Sequence, residues 1–179
     1  MDSLNKKPTR RAVLTGSAAT AAAWSIMDQA QAGEVYLSGV GPEYTFEVQR
    51  TEAEWRDRLN DLEYQVMREG ATEFPTTSPY WNKNDPGVYH CKGCDLPLYS
   101  SEWYSPQQIG FVFFEHSDPN AVLTGIHETD YNGALPEPKL MMEAHCRRCG
   151  SHLGHILIIG GEVLHCINGT SLQLKPANA

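Results

Sequence analysis

Nowhere in the 179 residues is there an apolar run long enough to cross a bilayer. The longest weakly apolar stretch, Ala12 to Ile26, is interrupted by Thr and Ser and falls short of the roughly 20 residues a spanning helix needs, so no stable membrane anchor is expected. Positive charge is scarce: 14 Lys and Arg stand against 22 Asp and Glu, a net charge of −8. That balance argues against a nucleic-acid partner, because phosphate binding needs a basic face. No internal repeat or low-complexity tract occurs. Cysteine is sparse at five residues, and its spacing carries most of the information in the chain.

The N-terminus reads as an address. Arg10-Arg11 precedes an Ala-rich run that closes with the small-residue box Ala30-Gln31-Ala32, the order of parts expected of a twin-arginine signal over residues 1–32. The reading implies export to the periplasm or an equivalent compartment, by a route that carries folded proteins and lets a metal be loaded first. It leaves a mature chain of residues 33–179 with ten basic and twenty acidic residues, a length that suits one domain with a sizeable core.

Within that chain, residues 33–50 read as a lead-in segment. Thr51-x-x-Glu54 is a capping box, followed by Trp55, Leu59, Leu62 and Val66 at helical spacing up to a stop at Gly70, with a second cap offered by Asn60-x-x-Glu63. Pro75, Ser78, Pro79, Asn82 and Asn84 predict a surface loop over 71–85. Strands are predicted at Gly87–Tyr89 running into Cys91, at Ile109–Phe114, and at Lys139–His145 running into Cys146. A hairpin follows, Ile156–Ile159 and Glu162–Ile167 joined by Gly160-Gly161. The fold class is therefore mainly β and antiparallel, behind an N-terminal helical segment.

Cys91-Lys92-Gly93-Cys94 and Cys146-Arg147-Arg148-Cys149 form two CxxC knuckles. Four thiolates around a tetrahedral structural Zn²⁺ are the commonest reason for such a doublet. The alternative, two disulfides or a redox-active pair, follows from an oxidising compartment, although no thioredoxin-like βαβ pattern flanks either pair. Cys166 is then left over, near His152 and His155. An isolated thiol near imidazoles is a candidate nucleophile, with an inert buried cysteine as the other reading.

Several spaced motifs occur in order: Tyr64-x-Val66-x-Arg68-x-x-Ala71-Thr72-Glu73, Gly87-x-Tyr89-x-Cys91-x-x-Cys94, Pro97-Leu98-Tyr99-x-Ser101, Cys149-Gly150-x-His152-Leu153-Gly154-His155, and Cys166-Ile167-Asn168-x-x-Ser171-Leu172. Together they resemble the methionine-R-sulfoxide reductase (B type) family over roughly residues 51–175. The resemblance implies two antiparallel sheets of the zinc-stabilised β-tent type. It further implies that Cys166 attacks the sulfur of a methionine-R-sulfoxide, that His155 and His152 supply or orient the proton its oxygen needs, that Asn168 helps hold the site, and that Phe111 and Phe114 line a pocket for the methyl group. Oxidised proteins are the implied substrates, recycled by an external thiol or a thioredoxin-like reductant. Three positions depart from the family pattern. Phe111 stands where a Trp is expected, Leu164-His165-Cys166 lacks the Arg before the nucleophile, and Ile159 replaces an acidic residue. No cysteine occupies the resolving position near Gln107-Gln108-Ile109, and strand alternation puts His165 on the face opposite Cys166. A non-catalytic zinc module and a different thiol chemistry are the competing functions.

Overall fold

The computed structural model describes residues 36–38, 44–131 and 133–177. Residues 1–32, expected to be a signal, and most of the lead-in before residue 44 lie outside the described residues.

The predicted helical segment is two helices. Thr51 caps α1 (Glu52–Arg58) and Asn60 caps α2 (Asp61–Glu69), each through a reciprocal capping box with the glutamate three residues on. Gly70 ends α2 in the left-handed conformation. The break resets the helical phase. Trp55, Leu59, Tyr64, Val66 and Met67 are buried, while Leu62, predicted to share the apolar face, is left exposed. No helix among the described residues is long and apolar enough to cross a membrane.

Two antiparallel sheets carry the rest. The strands are β1 (Tyr36–Ser38), β2 (Gly87–Cys91), β3 (Pro97–Ser100), β4 (Val112–Phe114), β5 (Val122–Thr129), β6 (Lys139–Cys146), β7 (His152–Ile159), β8 (Glu162–Ile167) and β9 (Leu172–Pro176). The larger sheet runs β1-β5-β6-β7-β8-β4 and the smaller β3-β2-β9. Pro97 and Pro176 fall on the two outer strands of the small sheet, where a missing N–H does not cost a ladder bond. Gly160 and Gly161 turn β7 into β8 with φ of 62° and 91°, the pair of positive angles that a two-residue hairpin turn requires.

The strand predicted over Ile109–Phe114 is shortened to Val112–Phe114. Gln108 and Gly110 take φ of 58° and 90°, which bends the chain out of the sheet, and Ile109 is exposed. Between the sheets, Tyr89, Leu98, Tyr99 and Leu172 of the small sheet meet Val112, Phe114, Ala144, Leu153 and Ile167 of the large one in a single core. Tyr99 stacks on Phe114 at 4.4 Å and 13°, an offset pairing that adds to the area both rings bury. Phe114, predicted to face substrate, is wholly buried in this stack. Alternation along β4 gives Phe113, not Phe114, the face shared with Cys166.

Candidate active site

Two sulfur environments are built on these sheets. In the first, Cys91 ends β2 and Cys146 ends β6, and each is followed by a tight turn that returns a second cysteine towards it. Asp95 N donates to Cys91 O at 2.7 Å and Gly150 N to Cys146 O at 2.8 Å, so the two knuckles are closed alike. The four Sγ atoms lie within 4.8 Å of one another, with Cys91 to Cys149 at 3.7 Å and Cys94 to Cys146 at 3.5 Å. A tetrahedron with metal–sulfur bonds of about 2.3 Å has edges of about 3.8 Å, so the donors match a four-thiolate metal site in number, softness and spacing. Cys91, Cys146 and Cys149 are buried and Cys94 is partly exposed. Thiolates this close repel unless a cation stands among them, and hydrogen bonds from Cys146, Cys91 and Cys94 already draw Cys149 far below the ordinary thiol range. The sequence-predicted quartet is therefore one cluster, and all five cysteines are free of disulfides.

The second environment surrounds Cys166. On β8 it lies opposite His155 of β7 on one side and Phe113 of β4 on the other. The close approach of β7 depends on Gly154, where a Cβ would meet the Cys166 carbonyl oxygen at 2.2 Å. Cys166 lines a cavity of about 560 Å³ together with His155, Asn168, Phe111, Tyr131 and Met141, and Phe74 and Ile109 stand exposed at its rim. Burial, and then the Glu73 carboxylate, push the Cys166 thiol up to about 12. At neutral pH it carries its proton.

Beneath the cavity runs a buried polar network. Asn168 Oδ1 accepts from Glu73 N at 3.0 Å, and Asn168 Nδ2 donates to Leu153 O at 3.2 Å and faces His152 Nε2 at 3.4 Å. His152 Nδ1 hydrogen-bonds the Glu143 carboxylate, whose other oxygen lies 2.9 Å from His145 Nε2. With Nδ1 donating to Glu143, His152 Nε2 is left as the acceptor that Asn168 needs. Burial alone would raise Glu143, but the bonds from His145 and His152 outweigh it and keep the carboxylate well below its usual range. Glu73 is held just as fully, accepting from Gly169 N and Thr170 N at 2.8 Å each and from Thr170 Oγ1 at 2.6 Å.

The structure thus brings Cys166, His155, Asn168 and Phe111 to one cavity, and sets His152 behind it as the partner of Asn168. His165 points away: its Nδ1 is 3.1 Å from Tyr99 Oη, and burial, then His116, hold it at about 4, a neutral ring.

The sequence pattern of the SelR domain family matches residues 59–176. Over 133 residues the chain is 35% identical to the peptide methionine sulfoxide reductase MsrB of Agrobacterium fabrum, covering 72% of this chain and 93% of that protein. The chain belongs to the methionine-R-sulfoxide reductase B family. Peptide methionine sulfoxide reductase 2 of Saccharomyces cerevisiae is 37% identical over 134 residues, 69% of this chain and 76% of its own. Peptide methionine sulfoxide reductase B3 of Arabidopsis thaliana is 34% identical over 135 residues, 73% and 72% respectively.

For a reductase-family chain, the sequence left three residues unassigned, Glu73 and Tyr131 in the cavity lining and Glu143 behind His152. Glu73 lies inside a quoted motif without a stated role. Glu143 is a lone acid in an otherwise apolar stretch of β6, a signal that could have marked it as paired. Tyr131, in the turn after β5, had no local signal at all.

Proposed function

We propose that this protein reduces methionine-R-sulfoxide in oxidised proteins, with Cys166 as the nucleophile. The observation that carries the reading is the Cys166 thiol beside its cross-strand partner His155 in the lining of an apolar cavity, in a chain of this family. The net step, Cys166–SH plus sulfoxide to Cys166–SOH plus thioether, consumes no proton from solvent. The substrate S–O bond breaks, an S–O bond to Sγ forms, and the thiol proton ends on the transferred oxygen. A protonated thiol is therefore compatible with the chemistry, provided that a relay moves its proton from sulfur to oxygen, and His155 is placed for that task. Asn168, fixed by Glu73, Leu153 and His152, holds the cavity wall beside Cys166 in place, while Phe111 gives the methyl group an apolar contact.

The sulfenic acid is then attacked by an external thiol or a thioredoxin-like reductant, giving a mixed disulfide and water. A second thiol equivalent regenerates Cys166. No other cysteine lines the cavity. The quartet holds a structural Zn²⁺, which contributes folding free energy and takes no part in the redox step. Residues 1–32 direct export to the periplasm by the twin-arginine route.

The test is to incubate the protein with both diastereomers of a methionine-sulfoxide peptide and dithiothreitol. Reduction of the R form alone, lost in Cys166→Ser, is the expected result. A zinc-loaded protein that reduces neither form would make it a binding module, and reduction of insulin disulfides would point to thiol exchange instead.

A further inference from the structure

We propose that Tyr131 is a further catalytic residue of this cavity, its phenol hydroxyl donating a hydrogen bond to the sulfoxide oxygen as Cys166 attacks; the assignment rests on the reductase reading above. Tyr131 sits in the turn after β5 with φ of 52°, a left-handed conformation unusual for an aromatic residue and sustained only where neighbouring bonds impose it. Its N–H donates to Thr129 Oγ1 at 3.1 Å and its carbonyl accepts from Ala134 N at 3.3 Å. This geometry turns the ring into the cavity, edge-on to His155 with centroids 5.1 Å apart.

There the hydroxyl oxygen is buried and has no hydrogen-bond partner among the described residues. An unpaired buried hydroxyl is costly, and natural structures rarely keep one without a reason. A partner that arrives with substrate supplies the reason, because a sulfoxide oxygen only accepts. The neighbouring groups do not compete for that role. Glu73 is an acceptor already filled by Gly169 and Thr170, the Asn168 amide is directed to Leu153 and His152, and His155 is assigned to carrying the proton away from its cross-strand partner Cys166. Burial, then Cys166, push the Tyr131 phenol up to about 12, so it stays a neutral donor across the working pH range. In the balance written above, Tyr131 begins and ends protonated. Any proton it releases to the oxygen is replaced by the one that leaves Cys166.

Tyr131→Phe keeps the ring and deletes only the hydroxyl. With the R-sulfoxide peptide and dithiothreitol, kcat is expected to fall about 10²-fold, the usual loss for one donor to a developing oxyanion, with KM within about threefold of wild type. The melting temperature should be unchanged or raised, since the substitution removes an unpaired buried group. This opposition of activity and stability separates chemistry from packing. A kcat within about threefold of wild type overturns the assignment, as does a fall in kcat accompanied by a lower melting temperature and a raised KM. A single-turnover reaction without added thiol, expected to yield one methionine per Cys166, isolates the parent reading: if wild type yields none, both proposals fall, whereas wild-type yield with full-speed Tyr131→Phe defeats Tyr131 alone.

Discussion

The two sulfur environments use the same atom to opposite ends. In the quartet, four thiols crowd within 4.8 Å at the ends of strands from different sheets, and the repulsion among their thiolates is what a divalent ion relieves. In the cavity, one thiol stands alone against apolar walls, and burial keeps it protonated. Sulfur behaviour is thus set by neighbours and solvent access, and the fold provides one crowded environment that suits a metal and one solitary environment inside an apolar cavity.

The sharpest way to break the contrast is to remove a sulfur from each side. Cys146→Ser takes a ligand from a site whose zinc affinity in comparable small domains is about 10–16 kcal/mol, which matches or exceeds the whole stability of a typical domain. Loss of bound zinc by elemental analysis and loss of cooperative thermal unfolding are expected together. Cys166→Ser should abolish turnover altogether while one zinc per chain and a melting temperature within a few degrees of wild type persist. If the second variant also lost zinc, the two environments would not be separable.

A smaller effect tests the anchor of the cavity. Glu73→Gln exchanges a carboxylate with three donors around it for an amide that sets its own N–H groups against them. The cost is about 3 kcal/mol, within the range for breaking buried charge-assisted bonds, read as a lowered urea midpoint with zinc retained.

The smallest effect concerns pH. Because the folded protein holds Cys166 near 12, above the ordinary thiol value of 9.0, the folded state keeps the proton longer than the unfolded chain does. The resulting stabilisation is complete below about pH 9 and disappears as pH rises towards 12. In native protein, alkylation of Cys166 by iodoacetamide should accelerate about tenfold per pH unit from 7 to 9, following the thiolate fraction. A plateau near neutral pH would mean an activated thiolate and would erase the contrast with the quartet.

Much of this is legible in the sequence alone. The capping boxes at Thr51 and Asn60, the two knuckles and the Gly160-Gly161 hairpin are local patterns whose physics acts over a few residues, and each is found where the sequence places it. β3 and β9 were hidden because a proline opens one and closes the other, a loop signal in isolation that only an outer strand excuses. β5 was hidden because Gly125 and the polar run from His127 to Thr129 dilute its alternation. At the site, spacing pointed to the four paired cysteines, whereas Cys166, His152 and His155 take their expected roles from the family resemblance. Glu143 and Tyr131 are placed by strand pairing and by a turn, long-range geometry with no signature in neighbouring residues. Phe114, expected in the pocket, stands instead in the core stack with Tyr99, a long-range contact between the two sheets that neighbouring residues do not reveal.

The order of the cysteines along the chain has one more consequence. Cys91, Cys94, Cys146 and Cys149 all precede Cys166, so a polypeptide growing from its N-terminus presents every member of the quartet before the fifth thiol exists. The order of synthesis thereby opposes mispairing between Cys166 and a member of the quartet, and the cavity sulfur is laid down last, onto a framework whose own sulfurs can already be committed.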